Sequence, residues 1–245
     1  MELARIERES LTGRVTAELR AALLEGRFRP GQRLKIREVA ASMGVSETPV
    51  REAVMQLIRD GGLTMRTGGA ITVVSLDLGS YMELRKIRLE LEPLAAVEGM
   101  PHQTGDSIDA LARIHADLIA AERAEDWRAA IGLNWRFHHG LYVPSGMPVL
   151  MQMLENLFLR IGPLMNFVYP HALPSYDGEH QHLAALAALR RQDARALRQA
   201  VRQDMIEGGR ALVRLLTEIG EGRIVPIEHE PASPQPRRTR KGTTS

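Results

Sequence analysis

The chain contains no cysteine. Disulfides, thiolate metal sites and cysteine nucleophiles are therefore excluded, and the composition suits a reducing compartment. Aromatic residues make up only 4%, which argues against extensive sheet, since aromatic and β-branched side chains pack best on a pleated surface. No window approaches the roughly 18 consecutive apolar residues of a membrane span. The first nine residues include Glu2, Arg5, Glu7, Arg8 and Glu9; they lack the apolar centre of a signal peptide and read as a flexible N-terminus. A cytoplasmic protein with no membrane partner is expected. Neither sign of charge dominates, the net being +2. Its distribution says more. Residues 1–75 carry 12 basic and 9 acidic side chains (+3), residues 76–225 carry 16 and 19 (−3), and residues 226–245 carry 4 and 2 (+2). A mildly basic head on an acidic body suits a DNA-binding module attached to something else.

What is present is helix-forming residue in quantity. Hydrophobic content is 44% over 245 residues, enough for one large or two modest cores. Within residues 32–63, QRLKIREVAASMGVSETPVREAVMQLIRDGGL, apolar residues recur at helical spacing twice. Ile36, Val39, Ala40 and Met43 mark one short helix. Gly44 ends it, because glycine accepts a left-handed backbone without a Cβ clash. Ser46 is predicted to cap the next helix through its hydroxyl, and Pro49 sits in the first turn, where it blocks no hydrogen bond. Val50, Ala53, Val54, Leu57 and Ile58 form the inner face of that second helix, leaving Glu47, Thr48, Arg51, Glu52 and Gln56 outward. Two helices about a tight turn, the second presenting hydrogen-bonding side chains, make a helix-turn-helix. Leu63 and Met65 before Gly68-Gly69, with Ile71 and Val73 after, predict a β-hairpin wing with Arg66 near its tip. Leu11, Val15, Leu19 and Leu23 precede the motif as a further helix closed at Gly26. A winged helix-turn-helix of three helices and a hairpin is thus predicted over residues 10–75, with Ser75 or Asp77 capping the helix beyond it.

Residues 76–222 show no strand pattern and are predicted to form an antiparallel all-helical bundle of six to seven helices, making the fold mainly α. Leu84, Ile87, Leu91, Leu94 and Ala95 mark one helix, and Ile108, Leu111, Ile114, Leu118 and Ile119 a second. Trp127–Tyr142 is a third, 149–161 a fourth with a kink toward Pro163, and 179–191 and 194–219 the last two. A loop with Pro170 and Pro174 covers 169–177. Tyr142, Tyr169 and Tyr176 read as packing residues, and Met147, Met151, Met153 and Met165 as core filler. Residues 223–245 read as a disordered basic tail, whose Arg237, Arg238, Arg240 and Lys241 would at most add non-specific attraction to DNA.

The segments LEGRFRPGQRL and REVAASMGVSETPVREAVMQL, followed by the Gly-containing wing, resemble the DNA-binding domain of GntR-family bacterial transcription regulators. IRLELEPLAA, NWRFHHGLY and HLAALAALRRQDARAL are similar to the FCD effector domain of the FadR-type branch. The resemblance covers roughly residues 10–220. It implies a dimeric repressor or activator on a near-palindromic double-stranded operator, whose affinity changes when a small carboxylic acid enters the helical domain. On the DNA side it implies roles for Arg37, Thr48 and Arg51, with Gly68 or Gly69 as the wing glycine; Arg66, near the wing tip, is positioned for a phosphate or the minor groove. Glu47 departs from the arginine of fatty-acid-responsive members and could only accept from a cytosine amino group, so a different target sequence is expected. On the effector side it implies a divalent metal, Zn²⁺, Ni²⁺ or Mn²⁺, and no organic cofactor. The corresponding residues here are Asn134, where many members carry aspartate, His138, His182, and Asp204 in place of a third histidine. Arg88 and Arg160 would pair with a ligand carboxylate. His139 and His180 are expected to face away from the site.

Each assignment has a plainer alternative. His138 and His182 could be hydrogen-bonded core histidines, Arg88 could pair with Glu92 four residues on, and Arg37 and Arg51 could lie in surface ion pairs. Two other functions compete with a ligand-responsive regulator, which is not an enzyme. One is a metal-dependent enzyme on a DNA tether, built on His138, His182 and Asp204. The other is a regulator with a non-functional sensor domain.

Overall fold

The computed structural model describes residues 11–168 and 178–224. The N-terminal part runs α1 (Leu11–Leu24), β1 (Arg33–Leu34), α2 (Ile36–Met43), α3 (Glu47–Arg59), β2 (Leu63–Met65) and β3 (Ile71–Val73). Gly44 adopts φ 66°, and its N–H caps the carbonyls of Ala40 and Ala41, as a glycine at that position should. The inner face of α3 is fully sequestered, with Val50, Ala53, Val54 and Leu57 at 0–1% exposure. Ser46 occupies the N-cap position of α3 but makes no side-chain cap bond, contrary to the predicted hydroxyl cap. The hairpin closes through Arg66 N–H to the Ala70 carbonyl, 2.8 Å. Gly68 and Gly69 take φ of 88° and 79°, a backbone closed to most side chains. A third strand, β1, joins the wing by pairing Leu34 with Ile71, giving the order β1-β3-β2. Two residues are too few for a periodicity to register.

The C-terminal part has helices and no strand among its described residues: α4 (Leu78–Gly99), α5 (Gly105–Arg123), α6 (Trp127–Tyr142), α7 (Pro148–Ile161), α8 (Met165–Val168), α9 (Gln181–Arg191), α10 (Ala194–Gly208) and α11 (Arg210–Gly220). Asp77 caps α4 by accepting from Ser80 N–H at 2.8 Å. The predicted kink at Pro163 is a 3₁₀ turn, Gly162–Leu164, between α7 and α8. The segment predicted as one helix over 194–219 is two, broken at Gly209. A Cβ there would stand 2.9 Å from the Tyr81 hydroxyl, so α4 occupies the space that a regular side chain would need. Ile87, assigned to a buried face, is 40% exposed, and Met147 and Met153, expected as core filler, are exposed on the surface. The predicted 169–177 loop with Tyr169 and Tyr176, the N-terminal nine residues and the basic tail from 225 onward lie outside the described residues.

The two parts share one hydrophobic cluster, which runs from Val15, Leu19, Leu23, Val50 and Leu57 through Leu154, Phe158 and Leu159 to Phe137 and Leu186. Arg20 of α1 rivets the junction. Its guanidinium donates to Asp60 at the end of α3 (2.8 Å) and to Asn156 (3.1 Å) and Glu155 (3.3 Å) on α7. The Asn166 amide nitrogen lies 2.9 Å from the Gly26 carbonyl and 3.1 Å from that of Phe28. The helix-turn-helix is therefore held against the helical body, through α1 and the end of α3, by both apolar and polar contacts.

Candidate functional site

Two regions carry chemistry. The first is the outer face of α3 with the wing. Arg37, Glu47, Thr48, Arg51 and Arg66 are all solvent-exposed, as Gly68 is at the wing turn. Arg51 Nη2 lies 3.5 Å from Glu47 Oε2, with both side chains at least half exposed. Pairing in high dielectric is weak and competes little with a nucleic-acid partner. Thr12 of α1 donates to Glu52 at 2.6 Å, so the orientation of the α3 face depends on α1.

The second region is a cavity of about 90 Å³ within the helical body. Among its walls are Arg88, Asn134, His138, Phe158, His180 and Asp204. Leu24, from the last turn of α1, also lines it. His138 Nε2 stands 3.4 Å from Asp204 Oδ2, and His182 Nε2 stands 3.8 Å from Asp204 Oδ1. The His138 and His182 rings meet edge to face at 5.1 Å, and Phe137 stacks flat on His182 at 3.7 Å. His138, His182 and Asp204 thus bring ligand atoms within 4.8 Å of one another, as do His115, His180 and His182. Both ring nitrogens of His182 and Nδ1 of His115 are buried without a hydrogen-bond partner. Orphaned buried nitrogens of this kind are costly unless a water or ion completes them. Burial pushes the His138 imidazole down to about 3, assisted by the Arg88 charge. Burial also takes His180 to about 3 and His182 well below the usual histidine range. These rings are therefore neutral, the state a metal requires of an imidazole ligand.

Behind His138 lies a buried polar chain. His138 Nδ1 is 3.1 Å from the Tyr142 hydroxyl, which donates to Glu92 Oε2 at 2.6 Å. Glu92, wholly buried, is held through its other oxygen by Arg88 Nε. Burial by itself would lower the Arg88 pKa, but the facing carboxylate outweighs it and the guanidinium is held above its ordinary value. Its carbon sits 4.6 Å above the Phe158 ring, within cation–π range. The Arg88–Glu92 pair anticipated as the plainer alternative is thus present. It coexists with a place in the cavity wall, because only one edge of the guanidinium faces Glu92.

Four placements differ from the sequence reading. Arg160 is exposed and does not line the cavity. Its guanidinium lies over Gly61 just beyond α3, in the space that a Cβ on Gly61 would occupy. Arg160 falls off the inner face marked by Leu150, Leu154, Phe158 and Ile161. His180 lines the cavity instead of facing away. The 100° rule for adjacent residues presumed a helix from 179, whereas α9 begins at Gln181 and His180 is its N-cap, accepting from His182 N–H at 3.1 Å. His115 was missed, although its spacing from Ile108, Leu111 and Leu118 puts it on the buried stripe of α5. Tyr142, read as packing, carries the polar chain. His139 does face away, pairing with Glu155 at 3.7 Å.

The depressed histidines make stability acid-sensitive. In the unfolded chain His138 takes up a proton near 6.5, and in the folded one only near 3. Between those values the unfolded state binds more protons, so stability is complete above about pH 6.5 and falls on acidification. For His138 alone the loss at pH 5 is about 2 kcal/mol, at 1.36 kcal/mol per pH unit. Denaturant titrations of chelator-treated protein at pH 7.5 and 5 should show at least this difference, and His138→Gln should remove its share.

A winged helix-turn-helix docked on a helical domain with an internal cavity is the architecture of a DNA-binding transcription regulator. The chain belongs to the GntR family of bacterial regulatory proteins: that family's model matches residues 11–73, and the FCD domain matches 83–206. It is 32% identical to the HTH-type transcriptional regulator McbR of Escherichia coli (strain K12), over 80% of this chain and 90% of that one. It is 28% identical to the Nta operon transcriptional regulator of Aminobacter aminovorans, over 68% and 78%. The solved structure of E. coli McbR/YncC superposes with a TM-score of 0.76 at 30% identity, covering 86% of this chain and 99% of that chain. A GntR regulator of Rhodococcus sp. RHA1 shares the fold, with a TM-score of 0.67 at 21% identity, over 84% and 97%. The relatives are transcriptional regulators, and the reading as a DNA-tethered enzyme falls. Among the described residues no helix is long and apolar enough to cross a membrane.

Proposed function

We propose that this regulator binds a near-palindromic operator as a homodimer and that a small carboxylate, held with a divalent cation in the helical cavity, changes its affinity. The observation that carries the reading is that one cavity is walled by Arg88, His138 and Asp204 of the body and by Leu24 of the DNA-binding part. A ligand there touches both, and it can shift the balance between two head placements through unequal affinity for them. Asn134, His138, His182 and Asp204 would hold the cation, and the unpartnered His182 nitrogens favour that fit. Two imidazoles with a carboxylate and an amide oxygen suit Zn²⁺, Ni²⁺ or Mn²⁺. Bound there, the cation would supply a Lewis-acid anchor for the carboxylate. Arg88 would grip the other carboxylate oxygen through the edge that Glu92 leaves open. The cavity holds a few water volumes, which favours a small acid over a long acyl chain.

On the DNA side, Thr48 and Arg51 would reach base edges, while Arg37, Arg66 and the backbone at Gly68 would hold phosphates, with Glu47 accepting from a cytosine amino group. One winged head buries too little surface for tight specific binding. A second copy would also cover Val143 and Met147 just before α7 and Val149 and Met153 in its first turns, all exposed, Val149 at 67%.

The test is a thermal-shift screen of sugar acids and dicarboxylates with Zn²⁺, Ni²⁺ or Mn²⁺, followed by operator titration. At least one acid should raise the melting temperature of wild type and change its operator affinity, but do neither in Arg88→Gln. Protein that retains no metal after purification and responds to no acid would leave a regulator with an idle sensor domain.

A further inference from the structure

The geometry points to Glu92 and Tyr142 as positioning residues that decide which nitrogen of His138 is bare toward the cavity. The inference rests on the proposed metal role of His138, yet its first readout needs no metal. Tyr142 has one hydroxyl proton. It lies on the 2.6 Å bond to Glu92 Oε2, because a carboxylate paired with Arg88 through its other oxygen accepts and has nothing to donate. What faces His138 Nδ1 at 3.1 Å is then a phenol lone pair. Two facing lone pairs repel, so Nδ1 carries the imidazole proton and donates to Tyr142.

A neutral imidazole has a single N–H, so Nε2 is left bare. That is the nitrogen aimed at Asp204 Oδ2 across 3.4 Å. A bare nitrogen opposite a carboxylate oxygen leaves a gap that a cation completes, and outer partners commonly orient a ligating histidine in this way. Asp204 competes for the same proton, since a proton on Nε2 would give it a charge-assisted bond. The Tyr142–Glu92 relay prevents this. Glu92 therefore serves two groups at once, orienting the Arg88 guanidinium with one oxygen and fixing the His138 tautomer through the other.

Two conservative variants remove the relay by different routes. Tyr142→Phe deletes the phenol oxygen and keeps the ring. Glu92→Gln keeps the shape. Its amide oxygen must face Arg88, so its NH₂ faces Tyr142, and the phenol proton is turned onto His138 Nδ1. Both should drive the imidazole proton to Nε2, where it bonds Asp204 and blocks ligation. Because Glu92→Gln leaves the Arg88 charge uncompensated and can fail to fold, Tyr142→Phe keeps the inference testable.

The tautomer is read by ¹⁵N–¹H imidazole correlation spectra of chelator-treated full-length protein, and Zn²⁺ affinity by competition with a chromophoric chelator. We expect His138 to be protonated at Nδ1 in wild type and at Nε2 in Tyr142→Phe, with Zn²⁺ bound about 10- to 100-fold more weakly by the variant. An Nε2–H tautomer in wild type, or an unchanged tautomer in Tyr142→Phe, overturns the relay even if Zn²⁺ binds tightly. A proton that moves from Nδ1 to Nε2 in the variant while wild type fails to bind Zn²⁺ supports the relay and overturns the metal reading alone.

Discussion

Replacing Arg51 by alanine is expected to remove specific operator binding while leaving the fold unchanged. Arg51 stands on the outer face of α3, where it pairs with Glu47, also exposed, at 3.5 Å. Exposed pairs contribute about 0–1 kcal/mol, so the melting temperature should move by no more than about 4 °C. An arginine reading a base edge contributes about 1–3 kcal/mol, and the proposed dimer would lose it twice. Operator affinity should fall by between about 30-fold and 10⁴-fold, with non-specific binding nearly unchanged. Arg37→Ala offers the contrast. Without its guanidinium on a phosphate, binding to all sequences should weaken alike, and the salt dependence should drop by about one ion per head. Gel-shift titrations on operator and random duplex at two salt concentrations separate the cases. Unaltered operator affinity in the Arg51 variant would refute its role.

The largest effect on stability is expected from Gly162→Ala. Gly162 opens the 3₁₀ turn after α7, and a Cβ there would overlap the Leu23 carbonyl oxygen and stand 3.1 Å from Leu24 Cα. These are backbone atoms of α1, so no rotamer change relieves the overlap; α1 must lift away. Lifting it exposes Leu23, now 1% exposed, and strains the Asn166 and Arg20 hydrogen bonds. Overpacking ordinarily costs about 1–3 kcal/mol, and rigid neighbours place this case at the upper end. For a chain of this size that is a fall of about 5–10 °C in Tm. Because one apolar cluster spans head and body, wild type should melt in a single transition. The variant should split it, the head unfolding separately. Calorimetry reads both quantities, and a single unshifted transition would show that α1 does not bear on the turn.

The DNA-binding half was legible because its information is local. Gly44 between two short amphipathic helices, Pro49 in a first turn and the Gly68-Gly69 hairpin each declare a backbone conformation that neighbouring residues alone determine. Helix α6, predicted as Trp127–Tyr142, has those bounds for the same reason, since its apolar spacing marks it without outside help. Helix boundaries failed where a tertiary neighbour intervened. The break between α10 and α11 falls at Gly209, where the Met205 carbonyl and the Tyr81 hydroxyl of α4 leave no room for a Cβ, and the start of α9 at Gln181 turned His180 from an outward helical residue into a cap facing the cavity.

The helical periods, the turn glycines and the exposed polar stripe of α3 follow from the sequence by itself, since each depends on contacts a few residues apart. The membership of the cavity wall and of the polar cluster behind it was decided by the tertiary structure. His115, His138, His182, Asp204, Glu92 and Arg88 come from five helices and meet only once those helices pack, and the same packing sends Arg160 to the junction with the head. Sequence spacing carries the direction of a side chain along one helix. It carries nothing about which helix stands opposite, and it is there that the proton on His138 and the charge of Arg88 find their partners.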